Sequence, residues 1–360
     1  MINQTTAELP LVCGYGLQTG AGFSTAANSA AFRGGLNVFA DIDWLPARRD
    51  GRPLRLARNA QLQPAADVLE RMLELASGAA IECLEPFRVS GGAGAGRIDS
   101  IPLLLSLPPQ RPGWDDDRNA DLVTRFAAGL PIPLDRDNSR ILATGHHGAL
   151  GLLCQAADLI GSRRAPACMV GGIDSYMDIA VLDWLDLQVR LKAPDAPNGF
   201  VPGEGAGFVL LGSRAFCEEL TCTPMVEFIS ACQEIDGTPW YADVPSHGSG
   251  LTRAVQGLLE PGDHRADTTY CDLNGEPWRA DEWNLAYLRT GDRHGHPLDL
   301  RHPASTWGDL GAASGGALAA LAAFELQRAR GPGPRTALIL TSSDTNPFRS
   351  GCLLARRGAS

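Results

Sequence analysis

Two adjacent histidines carry the strongest chemical signal in the chain. They lie in Thr144-Gly-His-His-Gly-Ala-Leu150, directly after a short apolar run at 140–144. Beyond them, apolar residues recur at Leu150, Leu153, Ala156, Ala157 and Ile160, and Gly161 supplies a stop, which predicts a helix. A strand running into a helix N-terminus is where α/β enzymes often seat a nucleophile, because amide N–H groups and the helix dipole stabilise negative charge there. The same dipole disfavours an imidazolium, so His146 would be a neutral base or a transient acyl acceptor. His147 is expected to face packing or a subunit interface.

The elements around this junction alternate. Strands are predicted at 9–16, 101–107, 167–171, 208–211, 224–231 and 268–273, with a closing strand at 336–341. Helices are predicted at 21–33, at 62–78 with Pro64 in the first turn, and at 120–129, 250–260 and 315–330. Residues 41–56 read as surface loop with short strands, and 114–118 as an acidic loop. The alternation favours an α/β protein with mainly parallel, buried strands. The order of strand and helix recurs in both parts of the chain, with a join near 212–223 and no flexible linker. The division expected is residues 1–215 and 216–360, packed as one body.

The 360 residues carry a net charge of −10, which argues against nucleic acid or an anionic membrane as the main partner. Hydrophobic residues make up 44% and charged residues 20%, ordinary for a globular chain. The nine cysteines are scattered and form no CxxC pair, so a zinc ribbon or redox motif is not supported and buried, reduced thiols are expected. The N-terminus lacks the basic start and apolar run of a signal peptide, and no run approaches the ~20 apolar residues of a membrane span. A soluble, cytoplasmic protein without metal or cofactor is the expectation.

Several stretches, in order along the chain, resemble the thiolase superfamily and within it the β-ketoacyl synthases. Val12-Cys-Gly-Tyr-Gly-Leu-Gln-Thr-Gly20 is similar to the family's opening strand and glycine turn. Residues 150–172 resemble the helix behind the nucleophile and the strand ending in paired glycines. Gly199-Phe-Val-Pro-Gly-Glu-Gly-Ala-Gly207 is close to a characteristic family loop, with Gly203, Gly205 and Gly207 holding close backbone packing. Asp272-Leu-Asn-Gly275 and Trp307-Gly-Asp-Leu-Gly-Ala-Ala-Ser-Gly315 sit where the family carries its two histidine motifs, and Thr345-Asn346 echoes its last glycine-rich turn. The resemblance implies a five-layer αβαβα fold of two similar halves, normally a homodimer. It also implies a cysteine that takes up an acyl group as a thioester, assisted by two histidines and a lysine.

Carried over residue by residue, that chemistry is missing. The nucleophile position is His146. The first histidine position is Asn274, followed by Glu276-Pro277, and the second is Asp309. The lysine position falls at Ala304, and the turn before Thr345 reads Ser342-Ser343-Asp344. Cys154 does not substitute for the lost thiol, because about two turns along the helix it would face the core and stay protonated. The preferred reading makes His146 a polar plug in a retired pocket, hydrogen-bonded to Asp309 or Asn274, with Trp278, Trp283 and Trp307 filling core. The resemblance then implies a catalytically degenerate protein that works by binding: a partner of an active synthase subunit, an accessory protein for a type VI secretion effector, or a binder of acyl-carrier protein, as homodimer or heterodimer. The alternative is an active acyltransferase or thioester hydrolase using His146 with Asp309.

Overall fold

The computed structural model describes residues 9–42, 53–63, 67–86, 100–220 and 226–358. In chain order the strands are β1 (Leu11–Thr19), β2 (Ala40–Ile42), β3 (Leu54–Leu56), β4 (Leu103–Leu107), β5 (Arg140–Ala143), β6 (Ala167–Ser175), β7 (Glu204–Gly212), β8 (Val226–Ile235), β9 (Thr268–Cys271), β10 (Leu300–Arg301), β11 (Thr336–Ser342) and β12 (Phe348–Arg356). The helices used below are α1 (Thr25–Arg33), α2 (Val68–Cys83), α3 (Asp116–Gly129), α4 (Gly148–Gly161), α5 (Ile179–Leu187), α6 (Arg214–Glu219), α7 (Ser249–Leu259), α8 (Pro277–Thr290), α9 (Ala304–Trp307) and α10 (Ser314–Arg328).

Ten strands form one sheet in the order β10-β9-β11-β12-β8-β1-β7-β6-β4-β5. Leu11 and Val12 of β1 pair with Glu227 and Val226 of β8, and this short seam joins two five-stranded halves. Each half repeats one plan. Its entry strand lies antiparallel to its last strand (β1 to β7, β8 to β12), which is antiparallel to the next (β6, β11), followed by two parallel neighbours (β4 and β5, β9 and β10). The mainly parallel sheet expected from the sequence is therefore corrected to a mixed one. Strands covered on both faces read as continuous apolar runs whatever their direction, so the pattern hides the antiparallel pairings.

The helices make the other layers. α2 and α3 cover the outside of the first half around Met72, Leu75, Phe126 and Phe208. α7 and α8 cover the second around Leu251, Val255, Trp283 and Leu353. α4 and α10 lie between the halves, where Leu150, Leu153, Leu318, Leu321, Val209 and Ile339 share one core. α10 is buried on nearly every face, which explains its run of glycine and alanine. A Cβ on Gly207 would sit 2.3 Å from Ala317 N, and one on Gly316 would sit 2.1 Å from Gly207 O. We expect Gly207→Val to lower stability by about 1–3 kcal/mol or to prevent folding, measured by urea denaturation, because backbone on both sides cannot yield to the added carbons.

Local boundaries differ from the sequence reading in instructive ways. The helix expected at 62–78 is found at Val68–Cys83, with Leu62 and Gln63 outside any helix; Pro64 lies outside the described residues. The acidic stretch at 114–118 is the start of α3, capped by the Asp115 side chain accepting from Arg118 N. Aspartates in a first turn suit the helix dipole, so the charge marked a helix start rather than a loop. The chain's final strand is β12 rather than β11, and β12 pairs along both β11 and β8. Pro224 of the strand expected at 224–231 lies outside the described residues, as do residues 43–52 of the expected surface loop. No described helix is long and apolar enough to cross a membrane.

Candidate functional site

The edge strand β5 ends at Ala143 and the chain turns through Gly145, whose φ of +76° favours glycine, before α4 begins at Gly148. Gly148 must be small, because a Cβ there would meet Ser106 Oγ at 2.3 Å. This turn buries His146 and His147. Opposite lies Asp309, whose backbone is clamped to the 199–207 loop: Asp309 N donates to Val201 O and Gly203 N donates to Asp309 O, both at 2.8 Å. Gly203 serves that clamp, since a Cβ would fall 2.3 Å from Trp307 O and 3.0 Å from Asp309 O, whereas Gly205 serves the approach to β1, with a Cβ 2.9 Å from Gln18 O.

The structure brings His146, Asn274 and Asp309 together. His146 Nε2 lies 2.8 Å from Asp309 Oδ1, and Asn274 Nδ2 donates to Asp309 Oδ2 at 2.6 Å. Asp309 also accepts from Gly311 N at 2.7 Å and from the Tyr176 hydroxyl at 3.5 Å. The other face of the imidazole meets a second carboxylate, with Nδ1 3.4 Å from Asp344 Oδ1. Asp344 in turn pairs with Arg190 at 3.0 Å, and Arg190 grips Glu276 through two bonds of 2.7 and 3.0 Å. Arg279 pairs with Asp272 at 2.6 Å and donates to Ser342 O at 2.7 Å. The His146 and Asp309 side chains are each 2% exposed.

Placed this way, His146 is a cation. Burial alone would lower its pKa; Asp309 overrides that, Arg279 offsets part of the gain, Asp344 adds to it, and the result is about 10. Burial would raise the Asp309 carboxyl, but His146 and Arg279 hold it below the usual carboxylate range; His146 and Arg190 do the same for Asp344. The neutral imidazole expected from the helix N-terminus is thus reversed, because two carboxylates outweigh one helix end. With both ring nitrogens protonated, the imidazole has no lone pair for a base or nucleophile. His147 is the opposite case: burial, His146 and Arg349 push it down to about 4, and its ring packs on Phe348 at 5.2 Å.

The remaining expected positions fall around this cluster. Ser342 Oγ donates to Glu282 at 3.3 Å, and Ser343 Oγ accepts from the Asn346 amide. Ala304 opens α9, half-buried, and offers only a methyl where the resemblance implied a lysine. Trp283 and Trp307 are buried in core, whereas Trp278 is half-buried and covers Arg279 at 4.3 Å. The Cys154 thiol is held up at about 11, chiefly by burial, and is no thiolate. Cys222 lies outside the described residues; the other eight cysteines are free thiols. No described group of His, Cys, Asp and Glu is arranged to hold a metal ion.

No family model matches the chain, and no curated protein does. Solved structures do. A type II polyketide synthase assembly, AntDE:AntF, an acyl-carrier protein in complex with its ketosynthase bound to the hexaketide, matches at TM-score 0.74 and 13% identity over 98% of this chain and 100% of that one. The ishigamide ketosynthase/chain length factor matches at 0.68 and 17%, over 98% and 100%. The ketosynthase from module 6 of the bacillaene synthase of Bacillus subtilis 168 matches at 0.74 and 14%, over 97% and 72%. The chain has the thiolase-like fold of the ketosynthases.

On that ketosynthase fold, most of the charged partners leave no mark in the sequence. Arg190, Arg279 and Tyr176 carried no signal, and Asp344 and Glu276 were visible only as departures from a motif. A second buried pair, Arg111 with Asp174 at 2.6 Å, sits beside Tyr176 and is equally unmarked. The arrangement resembles a closed ionic network more than an open catalytic centre. Each charge faces one of opposite sign; the imidazole is hydrogen-bonded to Asp309 through Nε2, while its Nδ1 and the Nε and Nη2 of Arg279 are buried without a hydrogen bond.

Proposed function

We propose that this chain is a catalytically degenerate β-ketoacyl synthase-like protein, built from halves at 1–215 and 216–360, that acts by binding as an accessory subunit in the cytoplasm. One observation carries the reading: the residue at the nucleophile position, His146, is buried with a carboxylate at each ring nitrogen, Asp309 at 2.8 Å and Asp344 at 3.4 Å, a placement that favours the imidazolium. Such a group neither attacks a thioester nor removes a proton from one. Asn274 and Asp309 stand at the positions where the resemblance implied histidines, and here they serve as ligands of one another.

The fold matches include a ketosynthase/chain length factor and a ketosynthase in complex with an acyl-carrier protein, which supports a protein partner of that kind. The partner is either an active synthase subunit in a heterodimer or, with this chain as a homodimer, a carrier protein or a type VI secretion effector. Incubation with acyl-CoA and with acyl-loaded carrier protein, followed by intact mass and product analysis, tests the reading. No adduct and no product are expected. A covalent adduct or turnover that disappears in His146→Ala would overturn it in favour of an acyltransferase or hydrolase using His146 with Asp309.

A further inference from the structure

A groove of about 670 Å³ opens on the outer face of the second half, between residues 240–246 and helix α8. Trp240, Val244, Trp278 and Leu285 give it an apolar lining, and Asp243 and Asp281 are the ionisable side chains that reach it. The two indoles stack with ring centres 5.8 Å apart and planes 19° from parallel. They are fixed from beneath, because Arg190 lies 5.4 Å from the Trp240 ring, Arg279 lies 4.3 Å from the Trp278 ring, and Trp240 Nε1 donates to Asp344 O at 2.9 Å. The indoles therefore present a preorganised surface whose ordering cost is already met by the buried ion network.

The surface is apolar and exposed. Trp240 is 36%, Tyr241 48% and Val244 52% exposed. Along α8, Asp281, Leu285 and Leu288 follow at helical spacing on one face, and Leu288 is 79% exposed. Isolated exposed apolar residues need no account; here Trp240 and Val244 line the groove itself, Tyr241 packs edge-on against Trp240, and Leu288 continues the α8 face beyond Leu285, so the exposed apolar surface is contiguous with the groove. The charge is one-sided: no lysine or arginine lines the groove, and neither Asp243 nor Asp281 forms an ion pair among the described residues.

We propose that this groove docks a short basic and apolar segment of a protein partner. Aliphatic side chains of the segment rest on Trp240, Trp278, Val244 and Leu285, while its lysine or arginine groups meet Asp243 and Asp281. Buried apolar anchors supply affinity, and the carboxylates at the rim select charge and speed encounter at low salt. The inference names the chemistry of the partner for the binding role proposed above, and it rests on that reading.

The test uses the full chain and three capped hexapeptides alternating leucine with arginine, glutamate or serine, titrated by calorimetry. The leucine–arginine peptide is expected to bind at least about tenfold tighter than the other two, and to weaken as salt is raised. Asp243→Asn with Asp281→Asn should weaken it about tenfold, and Val244→Ser should weaken it without changing the salt dependence. Equal binding of the three peptides, undiminished binding to the double asparagine variant, or no saturation at millimolar peptide overturns the proposal. None of these readouts involves His146 or an acyl group. A failed groove thus leaves the acyl-loading result standing, and covalent loading of His146 leaves the peptide result standing.

Discussion

Replacing Asp309 with alanine is expected to lower stability by about 3–5 kcal/mol, the usual effect of removing one member of a buried ion pair. The aspartate holds the His146 cation, the Asn274 amide and the Gly311 N–H within 2.8 Å and stands beside the Tyr176 hydroxyl. Without it, His146 must either keep its charge against Asp344 alone or give up its proton in a site that Arg279 already makes positive. Both outcomes leave polar groups buried without partners, and each such group costs about 1–3 kcal/mol. Urea unfolding with an unchanged m-value would measure the loss. A change below about 1 kcal/mol, typical of an exposed pair, would show that the network does not hold the fold together. The double substitution His146→Leu with Asp309→Leu should recover part of the loss, because removing both charges is less harmful than stranding one. An Asp309 variant of normal stability that had lost a measurable turnover would instead point to chemistry.

What could be read from the sequence, and what could not, follows the reach of each interaction. The turn before α4, the 199–207 loop and the small-residue face of α10 were visible because close backbone approach demands glycine or alanine at particular positions, and that demand leaves a local mark. Gly148 against Ser106 Oγ and Gly207 against Ala317 N are such cases. His146, Asn274 and Asp309 were found by their place within those marks, and the structure gathers them in one cluster. The arginines had no such mark. Arg190 reaches Glu276 across 86 residues of chain, and nothing near either one announces the other. An arginine in a single sequence reads as surface by default, so a buried cation appears only when its carboxylates are in view. The same blindness produced the wrong charge for His146: the helix dipole was local and legible, and the carboxylates of Asp309 and Asp344 were neither.

That charge gives the protein a pH signature opposite to that of its other buried histidines. The His146 pKa rises from 6.5 unfolded to about 10 folded, so its contribution is complete below about pH 6.5 and is lost as pH climbs toward 10. His147 and His294 are both held down at about 4, chiefly by burial, so their contribution is complete above about pH 6.5 and is lost as pH falls toward 4. Asp309 and Asp344, both depressed, lose theirs only in more acid solution, below their ordinary value of 3.8. Stability should therefore peak near pH 6.5. Above it the folded state holds one more proton than the unfolded chain, and stability should fall by up to about 1.4 kcal/mol per pH unit. The window closes at about pH 8.5, where thiols of the unfolded chain begin to ionise and add a loss of their own. Urea unfolding at intervals from pH 5 to about pH 8.5 would trace both limbs. Gln has no titrating nitrogen, so His146→Gln should flatten the upper limb; on the lower limb it should leave the His294 part intact and shrink the His147 part, which loses the neighbouring His146 charge. A flat wild-type profile above pH 6.5, or an upper limb that survives in His146→Gln, would mean that His146 is neutral and free to act as a base.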